Sequence, residues 1–121
     1  MGRMSRDKGK RGELEAAAFL KELFGCDARR TQQYCGGAGD ADLTTSIEGV
    51  HFEVKRTERF NLYESLDQAY EDSSQGATPV VLHRRNNREW VVALYLKDLP
   101  QLARQVIAAQ EEKDDARESI I

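Results

Sequence analysis

The segment Gly39–Arg56, with the sequence GDADLTTSIEGVHFEVKR, carries the clearest strand pattern in the chain. It predicts a short strand that starts at Asp42, a turn at residues 46–49 and a second strand at Val50–Lys55. In the second strand apolar and polar residues alternate, so that successive side chains point to opposite faces of the sheet. One face is therefore expected to be apolar and buried. The other face carries three polar residues, His51, Glu53 and Lys55.

The length of 121 residues suits one domain with its own core and is too short for two. We expect a single domain over residues 1–110, with a basic arm at residues 1–8 and an acidic tail at residues 111–121. No apolar run approaches the roughly 20 residues of a membrane span, and the N-terminus lacks the apolar region of a secretory signal. The cysteines, Cys26 and Cys35, have no CxxC spacing, which argues against structural zinc and fits a reducing cytoplasm.

The net charge of −3 does not by itself exclude a nucleic-acid partner. Residues 1–12 hold five basic side chains against one acid, whereas residues 111–121 hold five acids against two basic side chains. Residues 1–110 are then neutral, with 16 basic and 16 acidic side chains. Because exposed charges more than about 10 Å apart are largely screened, local basic clusters can still bind phosphates.

The remaining pattern predicts an α/β fold with a small mixed sheet flanked by helices. The predicted elements are a first helix from near Gly9 to a C-cap at Gly25, an extended segment at 26–35, a helix capped by Asn61 and Glu64, a strand at Pro79–His83, a strand at Trp90–Leu96 and a final helix capped by Asp98. The apolar face of the second helix is predicted to consist of Leu62, Tyr63, Leu66, Ala69 and Tyr70. The segment Gly36–Gly39 is too glycine-rich for regular structure, and it is either a plain surface loop or a mobile one near Asp42.

The first helix holds an acid in an unusual place. At about 100° per residue, Glu15 and Glu22 fall on the solvated face, whereas Glu13 falls inside the apolar arc between Leu20 and Phe24. A carboxylate on a buried face is costly unless a cation meets it. The alternative is an acid in the first turn that reaches solvent.

Four side chains are candidates for catalysis: Glu13, Asp42, Glu53 and Lys55. Adjacent antiparallel strands lie about 4.8 Å apart, so Asp42 and Glu53 can converge on one ion if the hairpin register allows it. Oxygen ligands without His or Cys select Mg²⁺ or Mn²⁺. Lys55 could then orient or deprotonate a water and stabilise charge on a phosphate. Taken alone, Glu53 and Lys55 could equally form an ordinary solvated strand face.

These residues do not stand alone, because Gly9-x-x-x-Glu13, the glycine loop, Ala41-Asp42, Gly49 and Glu53-Val54-Lys55 resemble the PD-(D/E)xK nuclease superfamily. Within it, the chain is similar to the small Holliday-junction resolvases, and LDQAYED followed by PVVLHRRNNREW is similar to their phage-type branch. The resemblance covers roughly residues 8–100. It implies a restriction-endonuclease-like core, hydrolysis of DNA phosphodiesters with a divalent metal, often a homodimer, and a phage or prophage origin in a bacterial host cell.

Carried over by residue, the resemblance makes Asp42 and Glu53 metal-binding acids, Lys55 the catalytic lysine and Glu13 the acid of the first helix. It makes the backbone carbonyl of Val54 a further metal ligand. Gln68 matches a glutamine that some relatives place near the site, although the helical wheel puts it on the polar side. Three features depart from the pattern: Ala41 replaces a common proline, a loop serine of some resolvases has no counterpart, and the chain is not basic.

Basic residues are the expected contacts to the DNA backbone, which position DNA without recognising its sequence. The candidates are Lys8, Lys10, Arg11, Arg29, Arg30, Arg56, Arg84 and Arg85, with Arg59 and Arg88 beside them. For each, the alternative is a solvated side chain. His51 is interpreted as a hydrogen-bonded neighbour of Glu53 rather than a ligand, and His83 as structural.

The leading hypothesis is a Mg²⁺-dependent endodeoxyribonuclease that selects branched DNA and acts as a dimer. The first alternative is a nicking or replication-repair nuclease of the same superfamily. The second, from another class, is a catalytically silent DNA-binding module.

Overall fold

A computed structural model of the protein describes the backbone of residues 2–32 and 41–118, and the side chains of residues 9–32 and 41–116. The Gly36–Gly39 loop and the side chain of Lys8 lie outside the described residues. The elements in chain order are α1 (Gly2–Phe24), β1 (Ala28–Arg30), β2 (Leu43–Thr45), β3 (Val50–Arg56), α2 (Leu62–Asp72), β4 (Thr78–Arg84), β5 (Val91–Ala93), a 3-10 turn (Leu96–Asp98) and α3 (Leu99–Glu118).

The five strands form one mixed sheet in the order β1-β2-β3-β4-β5. Neighbouring strands are antiparallel except for the central pair, β3 and β4, which run parallel over seven residue pairs from Val50↔Thr78 to Arg56↔Arg84. The connection between these two strands contains α2, as a parallel crossover requires. The predicted class, an α/β fold with a restriction-endonuclease-like core and a small mixed sheet flanked by helices, is confirmed.

Helix α1 is longer than the sequence pattern predicts. It begins at Gly2 rather than near Gly9, so the backbone of the basic segment continues the helix instead of forming a separate arm. Its end is as predicted: Gly25 has a φ of +64°, and its N–H donates to Lys21 O at 2.8 Å. Glycine adopts this left-handed conformation without a Cβ penalty.

Helix α2 has the predicted cap, but only Leu66 and Ala69 of the predicted apolar face are buried. The side-chain oxygen of Asn61 accepts a hydrogen bond from Glu64 N–H at 3.0 Å. Ser65, Leu66 and Ala69 are buried. In contrast, three residues assigned to the apolar face are 41%, 70% and 55% exposed, namely Leu62, Tyr63 and Tyr70. The helix is rotated so that Ser65, Leu66 and Ala69 face the sheet.

Helix α3 extends to Glu118, and therefore includes most of the acidic segment that composition predicts to fray. Three side-chain amides attach it to the rest of the fold. Gln101 Nε2 donates to Gly76 O at 2.9 Å, Gln105 Nε2 to Gly49 O at 2.9 Å and Gln110 Nε2 to Phe24 O at 2.8 Å. Asp98 is the last residue of the 3-10 turn and directly precedes Leu99, the first residue of α3, which is the position predicted for a cap.

The sheet has a different apolar layer on each face. On one face α1 and α3 cover Phe52, Val80 and Leu82, and on the other face α2 packs Leu66 and Ala69 on Val81. Strand β3 has neighbours on both sides and lies at the centre of the sheet. Its polar residues, which alternate with Phe52, therefore lie on the α2 face. Within the described residues, no helix is both long enough and apolar enough to cross a bilayer.

Candidate active site

The hairpin places Asp42 beside Glu53. Leu43 pairs with Phe52, and the backbone N–H of Asp42 donates to Phe52 O at 2.9 Å. The Oδ2 atom of Asp42 accepts a second hydrogen bond, at 2.7 Å, from the backbone N–H of Val54. This hairpin register is the one that brings the carboxylates of Asp42 and Glu53 together. It directs the Asp42 carboxylate at the segment of β3 that contains Glu53.

His51 holds the other carboxylate. Its Nε2 atom lies 2.7 Å from Oε1 of Glu53, and the two side chains are only 5% and 9% exposed. The interpretation of His51 as a hydrogen-bonded neighbour is confirmed. Sequence alternation placed both residues on one face, but only the packed structure shows that this face is buried.

The two carboxyl groups titrate as a pair. Burial is the main cause that raises the pKa of Asp42 to about 7, and the hydrogen bond with Glu53 adds to it, while Val54 N–H acts in the opposite direction. Burial also opposes the ionised form of Glu53, but hydrogen bonds with His51 and Asp42 lower its pKa below the usual value. Ionisation of both carboxyl groups is therefore unfavourable below about pH 7, and a cation between them would favour it.

Glu13 lies near this pair but has a partner of its own. Its Oε2 atom is 2.9 Å from Arg30 Nε, and its side chain is 19% exposed. Burial raises the pKa of Glu13, Arg30 opposes this, and the charge of Glu53 adds to it. The half-buried position agrees with the helical-wheel prediction. Arg30, a predicted DNA contact, is directed at an acid of the site.

Lys55 shares the face of Glu53 and contacts helix α2. Its Nζ atom donates to Oε1 of Gln68 at 3.3 Å. Gln68 is exposed, as the wheel indicated, yet its side chain is long enough to reach Lys55. The structure thus brings Gln68, which the resemblance named, into contact with Lys55, and its role at the site stays a prediction.

The donor set fits a hard divalent cation. No three His, Cys, Asp or Glu side chains converge as a metal-binding group within residues 9–32 and 41–116. Mg²⁺, however, is usually bound through only one or two carboxylates and keeps several waters. Asp42 and Glu53 provide these two, and the raised pKa of Asp42 indicates that a cation would relieve their repulsion. The Val54 carbonyl is the further ligand implied by the resemblance.

The predicted DNA contacts differ in their surroundings. Arg56 and Arg84 form ion pairs with Glu15, and Arg30 forms one with Glu13. Glu15 is thus not the simply solvated acid that the wheel predicts, because the parallel ends of β3 and β4 bring two arginines beneath α1. The exposed basic residues are Lys10, Arg11, Arg29, Arg59, Arg85 and Arg88.

A comparison with protein-family models supports the resemblance to PD-(D/E)xK nucleases. Residues 4–119 match the family described as "Phage putative PDDEXK endonuclease", which covers nearly the whole chain. The chain belongs to this family. The comparison with curated proteins and the comparison with solved structures gave no match. Because the family is described as one of endonucleases, we interpret Asp42, Glu53 and Lys55 as a candidate nuclease site.

Proposed function

We propose that this PDDEXK family member is a Mg²⁺-dependent endonuclease, also active with Mn²⁺, that hydrolyses DNA phosphodiesters. The observation that carries the proposal is the half-buried carboxylate of Asp42 beside the buried carboxylate of Glu53, with Lys55 on the same sheet face. Two acids that lie this close and are partly removed from water are costly unless a cation meets them.

In the proposed mechanism, Asp42 and Glu53 bind the cation, with the Val54 carbonyl and Glu13 as further candidate ligands. When bound, the cation stabilises charge on the phosphate and lowers the pKa of a coordinated water. His51 orients Glu53 through the 2.7 Å hydrogen bond. Lys55 positions or deprotonates the attacking water, and Gln68 restricts the Lys55 ammonium group to the site.

Branched DNA, in particular a four-way junction, is the proposed substrate, and the cytoplasm of a bacterial host is the proposed place of action. The support is the resemblance to phage-type resolvases and a set of arginines suited to backbone contacts. A nicking or repair nuclease of the same superfamily is the alternative that shares all site residues.

We also propose a homodimer, because paired cuts on a junction need two sites. An apolar cleft between α1, α3 and β5 supports this, since Leu23, Val91 and Val92 line it and are 62%, 52% and 55% exposed. Apolar residues concentrated at one place on a surface are typical of interfaces. Sedimentation equilibrium is expected to give twice the mass of the chain. A monomer at micromolar concentrations would contradict the dimer but not the nuclease.

The nuclease is tested by incubating the protein with labelled four-way junction, flap and linear duplex in Mg²⁺ or EDTA. Symmetric paired nicks confined to the junction are expected in Mg²⁺ only. Asp42→Asn, Glu53→Gln and Lys55→Ala should abolish cleavage and largely keep DNA binding, and Glu13→Gln should cause a large loss. The matched control is Glu71→Gln, an exposed acid of α2 that should cut normally.

The outcomes separate the alternatives. Equal cleavage of all three substrates would exclude junction selectivity and favour a general nuclease. Binding without cleavage in any metal would favour the silent DNA-binding module. Full activity of Asp42→Asn would exclude the metal site.

A further inference from the structure

A basic cluster lies where α1 crosses the ends of the two central strands. Its pocket, of about 280 Å³, is lined by Arg11, Gly12, Glu15, Arg56 and Asn86. Arg84 closes the cluster from the neighbouring strand, because it is paired with Arg56 in the parallel register. The cluster thus combines residues from α1, β3, β4 and the turn after β4.

The cluster is held in place by specific contacts. Glu15 forms ion pairs with both Arg84 and Arg56, the latter with an Nε–Oε2 distance of 3.6 Å. Arg56 Nη1 also donates to Arg84 O at 3.5 Å. On the far wall, the backbone N–H of Asn86 donates to Glu58 Oε1 at 2.9 Å, which fixes the turn. The guanidinium groups are therefore positioned before any ligand arrives.

The charges of the cluster do not balance. Three guanidinium groups, those of Arg11, Arg56 and Arg84, meet two carboxylates, Glu15 among them and Glu58 at the far wall, so one positive charge is left over. Arg56 is only 16% exposed in its side chain, and its buried Nε has no hydrogen-bond acceptor. Among the side chains of residues 9–32 and 41–116, Arg11 has no ion pair. An anion is the ligand that this arrangement lacks.

We infer that this cluster binds a backbone phosphate of the DNA that lies next to the phosphate that is cut, on the same strand. Glu15 is the residue that positions the arginines of the cluster. The inference rests on the proposed function, because it takes DNA as the ligand. Arginine suits this role, since its planar fork binds phosphate oxygens in pairs.

The position of the cluster agrees with this assignment. Arg56 directly follows Lys55 and is the last residue of β3. On α1, Glu15 lies two residues from Glu13, about 3 Å further along the helix axis, and the charge of Glu13 acts on Asp42. A DNA strand that passes over this end of the sheet would contact Asp42 and Glu53 first and the arginines of the cluster next.

The experiment measures binding of labelled duplex and junction DNA in EDTA by fluorescence anisotropy across a range of salt. For the Arg56→Ala/Arg84→Ala double variant we expect about tenfold weaker binding and a salt slope reduced by about 0.9, the value for one lost phosphate contact. Arg56→Lys should keep the slope but lose affinity, because it keeps the charge and loses the fork. This variant also serves if the double variant folds poorly.

The control is Arg104→Ala, which removes one positive charge from α3, whereas the double variant removes two. Arg104 is exposed and lies with Ser46 and Glu48 at the other end of β3. The DNA affinity of Arg104→Ala should differ from that of the wild-type protein by less than twofold. Equal losses for Arg104→Ala and the double variant would show general electrostatic attraction and overturn the site.

Glu15→Gln gives the sharpest test of positioning. It removes a negative charge, so simple electrostatics predicts tighter DNA binding, whereas loss of positioning predicts binding about fivefold weaker, with Glu15→Asp retaining most of the affinity. Circular dichroism and thermal melting confirm that each variant is folded. Tighter or unchanged binding by Glu15→Gln would overturn its role.

The results also separate this inference from the proposed function. If the wild-type protein binds and cuts DNA while the arginine variants bind normally, the phosphate site is wrong and the nuclease stands. If the wild-type protein binds DNA without cutting it and the variants bind weakly, the nuclease is wrong and the phosphate site stands. If the wild-type protein binds no DNA, both are wrong.

Discussion

Nε2 of His51 lies 2.7 Å from Oε1 of Glu53, and this hydrogen bond is buried on the face of the sheet that α2 covers. It restricts Glu53 to one orientation, with its carboxylate directed at Asp42. Partners that orient a metal ligand typically contribute 10- to 100-fold to metal affinity.

We therefore expect His51→Ala to weaken Mn²⁺ binding by about 10- to 100-fold, as measured by isothermal titration calorimetry. The control is His83→Ala, since His83 is equally buried but contacts Thr57 O at 3.1 Å and stacks on Phe60. His83→Ala should lower the melting temperature and leave the metal affinity of the folded protein unchanged. Unaltered Mn²⁺ affinity in His51→Ala would show that Glu53 does not need this partner.

The contact between Lys55 and Gln68 predicts a graded effect on catalysis. Lys55→Ala should abolish cleavage, whereas Gln68→Ala should lower kcat by about three- to tenfold, because the ammonium group remains but is less restricted. Single-turnover cleavage of the preferred substrate measures both. Gln75→Ala, an exposed glutamine in the turn after α2, is the control and should cut normally. A Gln68→Ala rate equal to wild type would remove Gln68 from the site.

The raised pKa of Asp42 predicts that metal-free stability falls as pH rises. Its pKa is about 7 in the folded protein and 3.8 in the unfolded reference, so the folded state binds more protons between these values. The free energy of unfolding therefore decreases from about pH 4 to pH 7 and this contribution levels off above. Glu13, whose pKa is also raised, acts in the same direction. Glu53, whose pKa is lowered, contributes stability that is lost only in more acidic solution.

A bound cation should relieve this cost most where Asp42 is ionised. We expect Mn²⁺ to raise the melting temperature more at pH 8 than at pH 5.5, measured by differential scanning fluorimetry with and without EDTA. Asp42→Asn should lose the metal effect and flatten the pH dependence of the metal-free protein. A metal-induced shift that is larger at pH 5.5 would contradict the assignment of the pair.

Two glycines of α1 form a matched pair for stability. A Cβ on Gly12 would lie 2.6 Å from Cβ of Arg56, whereas a Cβ on Gly9 would meet nothing within 4 Å. Gly12→Ala should therefore destabilise the protein by about 1–3 kcal/mol through the clash. Gly9→Ala should stabilise it by about 0.5–1 kcal/mol through helix propensity. Urea unfolding measures both, and equal effects would mean that α1 does not pack this closely on β3.

Local rules accounted for much of the fold. The alternation in β3, the Asn61 cap and the glycine at the end of α1 each depend on a few neighbouring residues, and all were predicted. The rotation of α2 was not, because a helix with apolar residues over a wide arc can present more than one face. The buried residues are Ser65, Leu66 and Ala69, and the last two pack against Val81.

The sequence by itself identified the candidate residues: the strand spacing of two acids and a lysine is compatible with a hard cation and a phosphate, and the resemblance to the nuclease superfamily implies both. Only the tertiary structure decided the surroundings of these residues. The register of the hairpin directs Asp42 at Glu53, burial raises the pKa of Asp42, and the parallel pairing of β3 with β4 brings Arg56 and Arg84 to Glu15. The reason is physical: pKa values and ion pairs depend on residues distant in the chain, and sequence spacing does not specify these contacts.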